Sequence, residues 1–139
     1  MKAREPESNS VPTDDDYCFV CGQDNPIGLR TIWTLDEDGI ARTRFRPARH
    51  HQGWRGIVHG GILSSLLDEA MAQRMRLDGR RTMTGSFNVR FRKPAPTEET
   101  LIVESRIVAD HRRILRLEAK VRSERGEIYA EADGTCVRV

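Results

Sequence analysis

From residue 60 to about residue 77 the apolar side chains recur at helical spacing. Placed at about 100° per residue, Ile62, Leu63, Leu66, Leu67, Ala70, Met71 and Met75 form one broad arc. Asp78-Gly79 ends the run. From residue 82 onward the period drops to two, the spacing of strands. "TMTGSFNVRFRKP" sets Phe87, Val89 and Phe91 against Asn88, Arg90 and Arg92 and stops at Pro94. "TLIVESRIVADH" and "RRILRLEAKVRS" repeat the alternation, with Ile114, Leu115, Leu117, Ala119 and Val121 mostly facing one way. "EIYAEADGTCVRV" adds a last strand after the turn at Glu124-Arg125-Gly126. Ahead of the helix, "RTIWTLDEDGIARTRFRP" predicts a hairpin about Asp38-Gly39 that Pro47 closes. "ARHHQGWRGIVHGG", with four glycines, reads as an ordered loop feeding the helix. The order is two strands, one long helix, then four strands joined by short turns. It predicts an α+β fold, one long central helix on a five- or six-stranded antiparallel sheet.

The flanking segments differ. Residues 1–16, rich in Pro, Ser, Asn and Asp, have almost nothing to bury and predict a disordered lead to a single domain over 17–139. "YCFVCGQDNPIGL" is short and turn-rich. Net charge is +2, from 23 basic and 21 acidic residues, too balanced a field to imply nucleic-acid binding. No apolar run approaches the length of a membrane span, and the polar start lacks a secretory signal, so a cytoplasmic protein away from membranes is expected. Three cysteines in that setting do not predict a disulfide framework. Cys18-x-x-Cys21 invites a zinc reading, but a second such pair is absent. Cys136 with His50 or His51 could complete a site only if folding gathered them. The plainer expectation is two small buried cysteines in an ordered segment over the core, with no metal and no cofactor.

The chemistry concentrates in "GIVHGGILSSLLDEA", residues 56–70. Helix N-termini leave their first amides without partners, and the helix dipole puts positive charge there. Gly60 and Gly61 have no side chains, so the oxygen of another molecule could approach those amides, as a carbonyl becoming an oxyanion requires. The same glycines could equally serve only a tight turn. Asp68 falls at the edge of the apolar arc beside Ser64, Met71 and Met75. Glu69 falls opposite, among Ser65, Gln73 and Arg76, and is expected to be a solvated surface acid. Nine residues separate His59 from Asp68, about 13 Å along the axis. A reacting group must come within about 3 Å. One helix cannot offer both ends to one carbonyl, whereas two antiparallel helices from two copies can. If this is an active site, the protein is at least a dimer.

The stretch resembles the signature of hotdog-fold acyl-CoA thioesterases of the phenylacetate-pathway and 4-hydroxybenzoyl-CoA kind: H-G-G, then an acid nine positions after the His. "TGSFNVRFRKPAP" and the lead-in "CFVCGQDNPIGLR" are similar to segments of that family, and the likeness spans roughly residues 17–138. The resemblance implies hydrolysis of an acyl-CoA thioester, with Asp68 as nucleophile or as general base for water. It implies that the Gly60 amide, with Gly61, polarises the carbonyl, that His59 shapes the turn or assists near the carbonyl, and that Thr84 orients the water or the acid. Several relatives carry Asn or Gln six residues before the His, where this chain has Gly53. Gln52 is one position off. Trp54, Met71, Met75 and Phe87 are candidate acyl-pocket residues.

Arg90 and Arg92, with Arg80, Arg81 and Lys93 nearby, are placed either on the phosphates of coenzyme A or at a subunit contact. Dimers and tetramers are both expected in such a family. A non-catalytic acyl-CoA-binding or regulatory protein of the same fold is the alternative, against which the acid at Asp68 argues. A hydratase would need Asp and His at closer spacing than His59 and Asp68. No G-x-S-x-G elbow points to a serine triad.

Overall fold

The computed structural model describes residues 16–139; the polar lead expected to be disordered lies, apart from Asp16, outside the described residues. A 17-residue helix, α1 (Gly60–Arg76), follows strands β1 (Thr34–Leu35) and β2 (Ala41–Phe45) and precedes β3 (Thr82–Phe91), β4 (Leu101–His111), β5 (Ile114–Ser123) and β6 (Ile128–Arg138). The six strands form one antiparallel sheet in the order β1-β2-β4-β5-β6-β3, so β1 and β3 are its edges. This is the predicted helix-on-sheet arrangement at its upper strand count.

The hairpin turns at Asp36, whose carboxylate accepts the Ile40 amide at 2.9 Å, and Gly39 supplies the left-handed residue at φ +80°. Its first strand is shorter than the alternation predicts because other partners take the backbone. Thr31 donates to the Val20 carbonyl through both its amide (2.9 Å) and its hydroxyl (3.2 Å). The Thr43 hydroxyl donates to the Ile32 carbonyl at 2.6 Å. Groups already satisfied in this way do not join a ladder.

The core lies between α1 and the sheet. Leu63, Leu66, Leu67, Ala70, Met71 and Met75 meet Leu101, Val103, Leu115, Leu117, Val121 and Cys136, all buried. Each large side chain removed from water this way stabilises the fold by about 1.5–3 kcal/mol before entropy is charged. On β6 the inward positions are small (Ala130, Ala132, Gly134 and Cys136), which lets the helix approach closely. A Cβ at Gly134 would lie 2.8 Å from Phe87 Cβ and from the Ser86 carbonyl, and 3.0 Å from Met71 Sδ.

Three expectations change. Ile114 is exposed, because β5 alternates strictly and Leu115, Leu117, Ala119 and Val121 hold the inner face. β4 is buried on both faces from Leu101 to Ser105. On its outer face Glu104 is clamped by Arg42 and Arg122. Burial alone would push that carboxyl up; hydrogen bonds and charge from Arg122 and Arg42 outweigh it and hold it below the ordinary carboxylate value.

The third change concerns the far side of α1. Glu69 is half-buried and Gln73 is buried, not solvated, because the irregular segment over residues 16–33 lies across that face. Val20 and Leu29 carry it onto the core, and the Cys18 thiol donates to Glu69 Oε2 at 3.8 Å. The helix is therefore enclosed on both sides.

Cys18 and Cys21 are half-buried and pack against the core, as expected of an ordered covering segment. Cys136 is buried in β6 facing α1, while the rings of His50 and His51 meet at a tilt with centroids 4.1 Å apart, and His51 lies against Phe45. Among the described residues the acid that joins Cys18 and Cys21 is Glu69, not Cys136 or a histidine. No helix among them is long and apolar enough to cross a membrane.

Candidate active site

The loop before α1 is pinned before it reaches the helix. His59 N–H donates to the His51 carbonyl (2.9 Å), Val58 N–H to Ala95 (2.8 Å) and Gly53 N–H to Ile57 (2.9 Å). His59 is then the N-cap: its Nδ1 accepts the Gly61 amide at 2.8 Å. That bond requires Nδ1 to be unprotonated, so the neutral ring carries its proton on Nε2. A Cβ at Gly61 would sit 3.0 Å from Nδ1, so glycine gives the capping ring its room.

The cap changes the donor inventory. With Gly61 engaged by His59, the Gly60 amide is the one with no hydrogen-bond partner among the described residues. Gly60 packs beside the ring of Phe91, whose Cζ would lie 3.3 Å from an added Cβ. A recess of about 280 Å³, lined by Gly53, Trp54, Val58, His59 and Gly60, opens at this helix end.

Asp68 lies about two turns further along α1, half-buried, and its Oδ1 accepts the Thr84 hydroxyl at 2.8 Å. The two residues singled out in sequence are thus in contact. A bulge helps set this up: Thr84 pairs with Cys136, and the ladder then slips so that Ser86, not Gly85, pairs with Thr135. Gly85 fits the slip because a Cβ there would crowd Thr135 Oγ1 at 3.2 Å and Val137 at 3.3 Å. Burial pushes the Cys136 thiol up and the Asp68 charge adds to the rise, so this neighbouring sulfur is a neutral thiol rather than a nucleophile.

The expected substrate-binding residues divide. Trp54 stands 83% exposed at the recess beside Gly60. Gln52 spends its side chain on the loop, accepting the Gly56 amide at 3.2 Å. Met71 and Met75 are completely buried, Met71 beneath Gly134, so they pack the core and line no open surface. Phe87 is 36% and Phe91 57% exposed on the edge strand β3.

Arg90 and Arg92 pair across to β6, with Asp133 at 3.2 Å and Glu131 at 3.4 Å. Lys93 pairs with Glu127, and Arg80 with Asp78 and Asp110. These cations are already neutralised locally. A larger depression of about 390 Å³ lies among Arg90, Glu104, Arg106, Glu118 and Lys120, on the sheet face turned from α1 and away from Asp68.

Residues 55–130, more than half of the chain, match the family model described as the thioesterase superfamily. The chain belongs to this superfamily. It is similar to acyl-coenzyme A thioesterase THEM4 of Bos taurus, 28% identical over 123 residues that cover 87% of this chain and 51% of that protein. The chain thus spans about half the length, or less, of the curated relatives it matches.

Among solved structures, a thioesterase superfamily protein matches with a TM-score of 0.83 at 24% identity, covering 88% of this chain and 60% of that one. A hypothetical thioesterase from Streptococcus pneumoniae, solved with coenzyme A, matches with a TM-score of 0.72 at 16% identity, covering 78% of this chain and 85% of that one. That protein has also been crystallised with an Asp→Ala and with a Thr→Ala substitution, at positions 16 residues apart. The fold is the hotdog fold, its central helix wrapped by antiparallel strands.

Proposed function

We propose that this chain hydrolyses an acyl-CoA thioester to the free acid and coenzyme A. The observation that carries the reading is the Asp68–Thr84 pair. A half-buried carboxylate has one oxygen held by a hydroxyl at 2.8 Å, on the same helix whose head leaves the Gly60 amide without a partner among the described residues. The 16-residue interval between Asp68 and Thr84 equals that between the substituted Asp and Thr of the pneumococcal thioesterase.

With Thr84 holding Oδ1, Oδ2 would be the oxygen that acts. As general base it takes a proton from water, and the hydroxide adds to the thioester carbon. As nucleophile it adds directly, and water then cleaves the acyl-Asp68 anhydride. In both routes the carbonyl oxygen becomes an oxyanion at the Gly60 N–H, the intermediate collapses, and the coenzyme A thiolate leaves and is protonated. A thiol is acidic enough to leave without a strong general acid, which suits so sparse a site.

The site is completed by a second copy. Gly60 and Asp68 are eight residues apart on one helix, about 12 Å along its axis, too far to serve one carbonyl. β3 supports the pairing: it is ten residues long, hydrogen-bonded to β6 on one side, and presents Met83, Phe87 and Phe91 in the open. A long apolar edge is a template for another chain. In a two-fold dimer each helix gives its head to one site and its acid to the other. Trp54 beside the recess then flanks the acyl or pantetheine portion.

Thiol release from a panel of acyl-CoAs tests the reading, with wild type and Asp68→Asn compared at equal folded concentration. Wild type releases thiol and Asp68→Asn loses at least about 10²-fold. Binding without release by wild type would make the chain an acyl-CoA binder instead.

A further inference from the structure

Residues 16–33 wrap α1 opposite the sheet, and at their start three groups converge that the hydrolytic reading leaves unused. The Cys18 and Cys21 sulfurs and a Glu69 carboxylate oxygen all lie within 4.8 Å of one another. The turn that gathers them is tight. Cys21 N–H donates to Cys18 Sγ at 3.5 Å and Gly22 N–H to the Cys18 carbonyl at 2.9 Å. A Cβ at Gly22 would lie 2.4 Å from Cys18 N and 2.6 Å from the Cys18 and Asp16 carbonyls, so the turn accepts only glycine there.

Glu69 comes from a different element and is oriented independently. Its Oε1 accepts Gln73 Nε2 at 2.8 Å, Gln73 is buried, and Gln73 Oε1 in turn accepts Arg76 Nη1 at 3.3 Å. This relay leaves Oε2 turned to the Cys18 sulfur, 3.8 Å away.

We propose that Cys18, Cys21 and Glu69 bind one thiophilic divalent cation of the zinc class, with water as the fourth ligand, clamping the covering segment onto α1. Two thiolates and one carboxylate suit such an ion in kind and number. A tetrahedral zinc ion places sulfur ligands about 3.8 Å apart and a sulfur and an oxygen about 3.6 Å apart, given bonds of about 2.3 and 2.1 Å. Adjusting the cluster to those edges takes shifts of about 1 Å or less.

Amide donation to the sulfur, seen at Cys18, favours thiolate over thiol. Gln73 is the outer partner that metal-bound carboxylates ordinarily have. In the metal-free cluster, burial first and then the Glu69 charge push the Cys21 thiol well up. A cation relieves both by taking the place of the two thiol protons, which leave to solvent.

The cluster contributes no group to the Asp68–Thr84 chemistry. It grips α1 at the residue next to Asp68, so its role is to hold the helix and its cover together.

The test uses the full chain, stripped with a chelator and titrated with Co²⁺. One equivalent of Co²⁺ per chain produces the near-ultraviolet sulfur-to-cobalt charge-transfer band, and equimolar Zn²⁺ bleaches it. Zn²⁺ raises the thermal midpoint of wild type and not that of Cys18→Ser. Glu69→Gln and Gln73→Ala keep the fold, by circular dichroism, and weaken Co²⁺ binding at least about tenfold. Absence of the band in folded wild type overturns the proposal, whether the two thiols titrate as free or mass spectrometry finds them joined in a disulfide. So does a band that survives in the Cys18→Ser, Cys21→Ser double variant, because the ion is then held elsewhere.

Discussion

Replacing Gly60 with proline isolates the proposed oxyanion donor from everything else the helix head does. Gly60 is the first residue of α1, the position where proline is best tolerated because its amide makes no intrahelical bond. His59 already has φ −59° and ψ 136°, the extended geometry favoured before proline, and its bond to the Gly61 amide is untouched. Gly60→Pro therefore deletes one N–H and adds a ring beside Phe91, at an expected stability change of about 1 kcal/mol or less. Losing an oxyanion donor raises the barrier by about 2.7–4 kcal/mol, so kcat falls about 10²–10³-fold with KM little changed.

Gly60→Ala is the control. It keeps the N–H and adds a methyl 3.3 Å from Phe91 Cζ, a contact a ring rotation relieves, and it loses less than about tenfold.

The proposed sharing of the site between two copies adds a second arm. Chains of Gly60→Pro and Asp68→Asn, unfolded together and refolded at equal concentration, give half mixed dimers. Each mixed dimer has one site with both an intact amide and an intact acid. The mixture recovers about a quarter of wild-type activity although neither parent has appreciable activity. A folded Gly60→Pro within about threefold of wild-type kcat refutes the oxyanion assignment. A mixture no better than its parents refutes the shared site.

Two stability predictions follow from the sheet. Glu104 is 8% exposed between Arg42 and Arg122, so Glu104→Gln leaves two guanidinium groups short of their carboxylate. Urea unfolding at neutral pH should show a loss of about 2 kcal/mol, below the usual cost of breaking a buried pair because both arginines are partly solvated. The native carboxyl titrates below its unfolded value of about 4.3, so its contribution is complete above that pH. It is lost as pH falls through the lower native value, and the gap between wild type and Glu104→Gln narrows on acidification. At the β6–α1 crossing, Gly134→Ala forces a methyl to 2.8 Å of Phe87 Cβ and of the Ser86 carbonyl. It costs about 1–3 kcal/mol by thermal or urea unfolding, and a neutral result would mean that β3 yields more easily than its pairing suggests.

The helix and five of the six strands were legible because each rests on periodicity, whereas Thr84 stands out only through the family resemblance, as a residue that orients the water or the acid, and its hydroxyl lies on Asp68. β1 was overextended because competition from Val20 and Thr43 for its backbone groups is a tertiary event that alternation does not record. Glu69 and Gln73 misled for a related reason. Helical projection shows which residues share a face, not what lies upon it, and here an irregular segment with no period of its own covers that face. Met71 is buried beneath Gly134, and an apolar residue beside an acid looks alike in sequence whether it lines a cavity or fills the core. The use of the Gly61 amide by His59 depends on a side-chain rotamer, which no spacing encodes.

The two partners of the Asp68–Thr84 hydrogen bond belong to parts of the domain held very differently. Asp68 rides a helix gripped by the sheet on one side and by residues 16–33 on the other. Thr84 rides an edge strand whose one strand neighbour among the described residues is β6. In hydrogen exchange the middle amides of α1 should open only with the whole domain, while the outward amides of β3 exchange through small local openings in the isolated chain. On that expectation a single hydroxyl joins a slow-opening element to a fast-opening one. In the proposed dimer that edge gains a second neighbour, so it would be assembly, and not the fold of one chain, that fixes the hydroxyl beside the carboxylate.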